Sequence, residues 1–270
     1  MRSLSHPLPT DRSSIWLALL RHLSDADPTW GAGGDVEEGF AGLGDVDLVA
    51  PHSTWAQLER SFVTWARERG LGPIVSCPHR AGTLVLLALG PPGELFFELE
   101  ATATKYLRGR VLYRAEDLTG LMTMDPRGFR RIRPGARSLL KFMPNGIKWG
   151  GRRRWSRDKA ERVLEGVRAD PEGARAAARL FPPIHEALLR GAQAAADGRW
   201  DRRALLEVEA WALARSAGHP REALGRLGER LRGRRNCAVL RAIGSGRRVP
   251  GDPEQWLAEV ERDHDVHRVD

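Results

Sequence analysis

Cysteine is nearly missing from this chain, with Cys77 and Cys237 the only two in 270 residues. Two thiols cannot build a disulfide framework or a cysteine zinc site, so stability has to come from a packed core. Lysine is scarce too: it supplies four of the 43 basic side chains, and arginine carries the positive charge. Long apolar runs are absent, and the longest, Thr83 to Leu89, is strand-sized, far short of the ~20 residues that cross a bilayer. Met1 to Pro7 lacks the apolar stretch of a secretion signal, and the expectation is a cytoplasmic protein with no membrane partner. The eight histidines show no ligand spacing apart from His264 and His267, in a polar tail. His52 reads as a loop residue more readily than as a general base.

What is present is an ordinary globular composition, 41% hydrophobic, in a length that suits one large domain or two of common size. Within it, Gly44-Asp45-Val46-Asp47-Leu48-Val49-Ala50 places two acids on an apolar strand. Residues i and i+2 of a strand share a face, so both carboxylates project together. Like charges held that close raise each other's proton affinity unless a cation sits between them, and a divalent metal is the natural candidate. The alternative is that Asp45 caps a turn while Asp47 lies on an exposed edge. Gly31-Ala32-Gly33-Gly34 ends eleven positions ahead of Asp45, and glycines allow a backbone to approach phosphate closely. Leu95-Phe96-Phe97-Glu98-Leu99-Glu100-Ala101 is a second apolar strand with two acids on one face. The two-residue period does not distinguish Glu98 from Glu100.

A glycine pair, an Asp-x-Asp strand, then an acidic strand after two more strands: this order resembles the nucleotidyltransferase superfamily typified by DNA polymerase beta, antibiotic nucleotidyltransferases and small bacterial nucleotidyltransferase toxins. The likeness covers roughly residues 30–101. It implies an α+β fold with a small mixed sheet and flanking helices. It also implies that Gly33 and Gly34 hold nucleotide phosphates, that Asp45 and Asp47 are paired metal ligands, and that Glu98 is the third acid, with Glu100 its rival. Mg²⁺ or Mn²⁺ is the implied cofactor and a nucleoside triphosphate the implied donor. The activity expected is transfer of a nucleoside monophosphate to a hydroxyl or phosphate acceptor, with release of pyrophosphate. An alternative from another class is a catalytically degenerate member that binds RNA or a protein partner.

The net charge of +8 is local. From Pro126 to Arg157 there are eleven basic residues and no Asp or Glu, so that segment carries +11 and the remainder −3. Such a concentration attracts a triphosphate or a nucleic acid such as tRNA. The alternative is a solvated face in an arginine-rich chain. Lys141, Lys148 and the Arg152 to Arg154 cluster are candidates, on charge alone, for neutralising the leaving group. Lys148 and Arg152 are therefore taken as nucleotide-binding residues. Ala242 to Arg248 has the glycines of a phosphate loop but no Lys followed by Ser or Thr, so it cannot place the ammonium and hydroxyl that such loops need.

Periodicity predicts helices over 13–23 and 54–69, and strands over 73–77, 83–89 and 95–101. A short strand over 108–113 and a short helix over 115–124 follow. Beyond the basic segment it predicts helices over 158–169, 171–180, 184–196, 201–216, 220–232 and 253–263, with a linker over 232–250. The boundary is expected near residue 155, with a nucleotidyltransferase-like domain over 1–155 and a helical domain over 156–270.

Overall fold

In the computed structural model, residues 12–217 and 267–268 are described, apart from 42–44, 73, 81, 91–93, 108–109, 149–156, 198 and 200. They fall into two compact units, one holding 12–103, 124–131 and 267–268, the other 104–123 and 132–217.

The first unit begins with α1 (Arg12–Ala26), whose Trp16, Leu19, Leu20 and Leu23 recur at helical spacing and are all buried. Two-residue β1 (Gly31–Ala32) leads into five-residue α2 (Val36–Phe40), capped by the Asp35 side chain. β2 (Val46–Val49) follows, then α3 (Trp55–Glu68), which buries Leu58, Phe62 and Trp65. Gly70 takes φ +65°. Gly70 N–H then bonds Arg67 O at 3.0 Å and Leu71 N–H bonds Ala66 O at 3.0 Å, the paired closure that ends a helix when glycine enters the left-handed region. The meander of β3 (Ile74–Arg80), β4 (Thr83–Gly90) and β5 (Glu94–Thr102) comes next.

Further along the chain lie β6 (Thr104–Leu107), β7 (Arg110–Arg114), β8 (Met122–Met124) and β9 (Arg130–Ile132), with β10 (His267–Arg268) near the C-terminus. Eight of these strands form one mixed sheet in the order β10-β3-β4-β5-β2-β1-β9-β8. β2 runs parallel to β5 and antiparallel to β1. Strand parity divides the faces. Val46, Leu48, Leu84, Leu86, Leu99 and Ala101 join the buried cluster that contains the apolar stripes of α1 and α3. Positions of the other parity, Asp47, Glu98 and Glu100 among them, point the opposite way.

The second unit holds the β6–β7 hairpin, a 3-10 stretch over Ala115–Leu121 and a helical region. Its helices are α4 (Pro134–Lys148), α5 (Arg157–Ala169), α6 (Pro171–Arg179), α7 (His185–Ala196) and α8 (Arg202–Ala217). Alanine lines α6, where Ala174, Ala177 and Ala178 are buried. Such small side chains let helices approach closely, and a Cβ on Gly135 of α4 would collide with the backbone oxygen of Asp170.

The fold is thus a mixed β-sheet with helices followed by a helical C-terminal region, the α+β class expected. α4 is an element that periodicity did not single out, although Leu139, Leu140, Phe142 and Met143 mark its buried face; its arginines had drawn attention to charge instead. The stretch expected as a helix over 115–124 is a 3-10 turn ending in strand β8. The helices expected over 220–232 and 253–263, and the linker over 232–250, lie outside the described residues. Among the described residues no helix is long and apolar enough to cross a membrane.

Candidate metal centre

The parallel pairing of β2 with β5 sets Val46 beside Leu99, Asp47 beside Glu100 and Leu48 beside Ala101. Continuing that register one residue back puts Asp45 beside Glu98. Four carboxylates therefore occupy one face of two adjacent strands, two on each. Oxygens from Asp45, Asp47 and Glu100 lie within 4.8 Å of one another, close enough to share one cation. Asp45 is exposed, whereas Asp47 and Glu100 are half-buried.

Glu98 sits at the neighbouring position on β5. Burial, then the charge of Asp45, then that of Glu100, push its carboxyl up from 4.5 to about 8. All three influences act in the same direction, so the acids repel one another as like charges on one strand pair must. Of the two rivals for the third acid, Glu100 is the one whose oxygen joins those of Asp45 and Asp47. The period of two could not have separated them, and the register pairs each with one aspartate; the positions of the carboxylate oxygens separate them.

The glycine pair arrives at the same place. Gly33 N–H donates to Asp47 O at 2.9 Å, extending the β1–β2 ladder by one bond. A Cβ on Gly34 would lie 2.7 Å from Asp47 Cβ and closer still to its Oδ2, while one on Gly33 would lie 2.8 Å from Val49 Cγ2. Only a residue without a side chain fits between this turn and the Asp47 carboxylate. The lead-in has little strand: Trp30 N–H bonds Asp27 O at 3.3 Å in a turn, and β1 is two residues long. His52 is exposed and its ring lies 4.5 Å from that of Trp55.

A set of carboxylate oxygens without nitrogen or sulfur donors suits a hard divalent cation such as Mg²⁺ or Mn²⁺. The residues present fit such an ion, because three carboxylate oxygens lie within 4.8 Å of one another.

The basic segment has structural occupations over its described part. Asp125, one residue before the acid-free stretch begins, is 4% exposed and pairs with Arg127 and Arg131, each at 2.9 Å. The Arg130 guanidinium donates to Ser24 O at 2.9 Å and Asp27 O at 3.3 Å, satisfying carbonyls at the end of α1. Arg133 grips Asp170 through two nitrogens, at 3.1 and 2.6 Å. The side chain of Lys148 and the whole of Arg152 lie outside the described residues.

No family model, curated protein or solved structure matches the chain.

Proposed function

We propose that this chain is a divalent-metal-dependent nucleotidyltransferase, moving a nucleoside monophosphate from a triphosphate donor to a hydroxyl or phosphate acceptor. The observation that carries this reading is the convergence of the Gly33-Gly34 turn on the Asp47 carboxylate, beside acids from β2 and β5. A lone acidic cluster speaks only of a cation. A cluster with a glycine turn packed against it also brings backbone close to the acids, the approach a phosphate site needs.

In the reaction, a bond forms between the acceptor oxygen and the α-phosphorus, and the bond from that phosphorus to the bridging oxygen of pyrophosphate breaks. Divalent cations held there supply charge neutralisation and Lewis-acid activation of the attacking oxygen. Asp45 and Asp47 hold and orient the cations from β2. The β5 carboxylates lie on the acceptor side, where one of them takes the proton that the acceptor loses. Gly33 N–H is spent on Asp47 O, so contact with the β- and γ-phosphate oxygens falls to the backbone of the turn beyond it. The task is chiefly alignment and charge stabilisation, so a rigid strand pair suits it.

Incubation with each of four labelled triphosphates, Mg²⁺ and bulk tRNA or cell extract identifies donor and acceptor together. The expected result is label on one acceptor class with stoichiometric pyrophosphate, lost in Asp45→Asn and Asp47→Asn proteins that keep the wild-type circular dichroism spectrum. Undiminished transfer in both variants refutes the assignment.

A further inference from the structure

The Gly33-Gly34 turn is held at both ends by one buried carboxylate. At its entry, β1 pairs in parallel with β9, where Ala32 stands beside Arg131. At its exit, α2 carries Glu37, which Arg127 contacts at 2.8 Å. Both arginines converge on Asp125: Arg131 at 2.9 Å, Arg127 through two nitrogens at 2.9 and 3.2 Å. Asp125 also accepts the Arg127 backbone N–H at 2.9 Å and sits in a tight turn where Gly128 adopts φ +88°. Burial alone would raise its carboxyl. The hydrogen bonds from Arg127 and the charges of Arg131 and Arg127 outweigh that, and hold it below its ordinary value.

A helix of five residues has almost no stability of its own, so the position of α2 is set by what grips it. Besides Arg127 there is Arg12, whose Nε donates to Gly39 O at 3.1 Å. Arg127 also lies 5.4 Å from the Phe40 ring and 5.2 Å from the Phe129 ring, which keeps its fork from swinging away. The position matters because α2 rests on the strand that bears the acids. A Cβ on Gly39 would meet Val46 Cγ2 and would lie 3.3 Å from Asp45 O.

We propose that Glu37, Arg127, Asp125 and Arg131 form a clamp that presses the glycine turn onto Asp47, making Arg127 and Glu37 positioning residues of the metal centre. They touch neither cation nor substrate. They act through the backbone of α2 and the turn before it, as groups behind the direct ligands commonly do in metal sites. The inference rests on the metal reading of Asp45, Asp47 and Glu100, and its test is built so that the two can fail separately.

The test is Mn²⁺ binding to the full chain, followed by electron paramagnetic resonance of the free ion, alongside thermal melting. The proteins are wild type, Glu37→Gln, Arg127→Ala and Arg127→Lys. Glu37 is 65% exposed, so Glu37→Gln folds even if Arg127→Ala does not. Expected are saturable binding in the wild type and about tenfold or greater weakening in Glu37→Gln and Arg127→Ala, on the scale of supporting-residue losses. Arg127→Lys should recover part of the affinity, and the Glu37→Gln melting temperature should stay within about 2 °C of wild type. Wild-type affinity in Glu37→Gln and Arg127→Ala, or a drop in melting temperature with affinity unchanged, overturns the clamp and leaves the metal centre standing. Absence of Mn²⁺ binding in the wild type overturns both.

Discussion

At the scale of single residues, Gly34 and Glu98 carry the sharpest consequences. Gly34→Ala introduces a Cβ where Asp47 already sits, so either the carboxylate rotates away or the turn lifts. The expected outcome is a loss of Mn²⁺ affinity of about tenfold or more, with a smaller effect on stability, measured by titration and melting of the same sample. A Gly34→Ala protein that binds metal normally would show the close approach to be incidental. Glu98 predicts a pH dependence. Unfolding returns its carboxyl from about 8 to 4.5, so between those values the metal-free folded chain holds a proton that the unfolded chain has released. Its contribution to stability is complete below pH 4.5, fades as pH rises toward 8, and is gone above that. Glu98→Gln should flatten this decline and raise stability at pH 8 by on the order of 2 kcal/mol, after discounting for partial exposure, or about 4–8 °C. Melting curves of both proteins from pH 5 to pH 9 in chelator check it, and parallel profiles would contradict it.

Among elements, the parallel register of β2 and β5 turns two acidic strands into one site, and sequence alone showed its ingredients without its arrangement. Alternating acids on 45–47 and 98–100 announced a shared face, because side-chain period is a local property. Which acid stands beside which is set by inter-strand pairing, and nothing within either strand specifies that. The helices after the basic segment were legible to within one or two residues over 157–217, since Pro171, Asp170 and Asp201 punctuate them locally. β1, β8 and β9, each two or three residues long, left no periodic signal. Asp170 shows how such punctuation is reinforced: it caps α6 by accepting from Gly173 N–H at 2.9 Å, and also from Gly135 N–H at 3.3 Å on α4. Asp170→Ala should destabilise the chain by about 1–2 kcal/mol, read as a lower denaturant midpoint with unchanged slope. A change below 0.3 kcal/mol would mean the cap adds nothing beyond water.

For the whole molecule, the concentration of positive charge over 126–157 is smaller in effect than its count suggests. Asp125 lies one residue outside the acid-free stretch and Asp170 and Glu37 are distant in sequence, yet these acids meet Arg127, Arg131 and Arg133 in space. A linear count cannot register such pairing. With Arg130 also engaged at the end of α1, at most seven of the eleven basic residues are left for a polyanion. For a single-stranded RNA ligand held through this segment, the log–log salt dependence should then be no steeper than about −5. Fluorescence anisotropy across a KCl series checks this, and a slope near −8 would show the pairs opening on contact.

Isothermal titration of the full chain with Mn²⁺ at pH 8 decides whether Asp45, Asp47 and Glu100 jointly hold a hard divalent cation. Saturable binding in the wild type, with affinity lost in Asp45→Asn and in Asp47→Asn while both remain folded, is the predicted result. No heat in the wild type, or equal affinity in all three proteins, would contradict it.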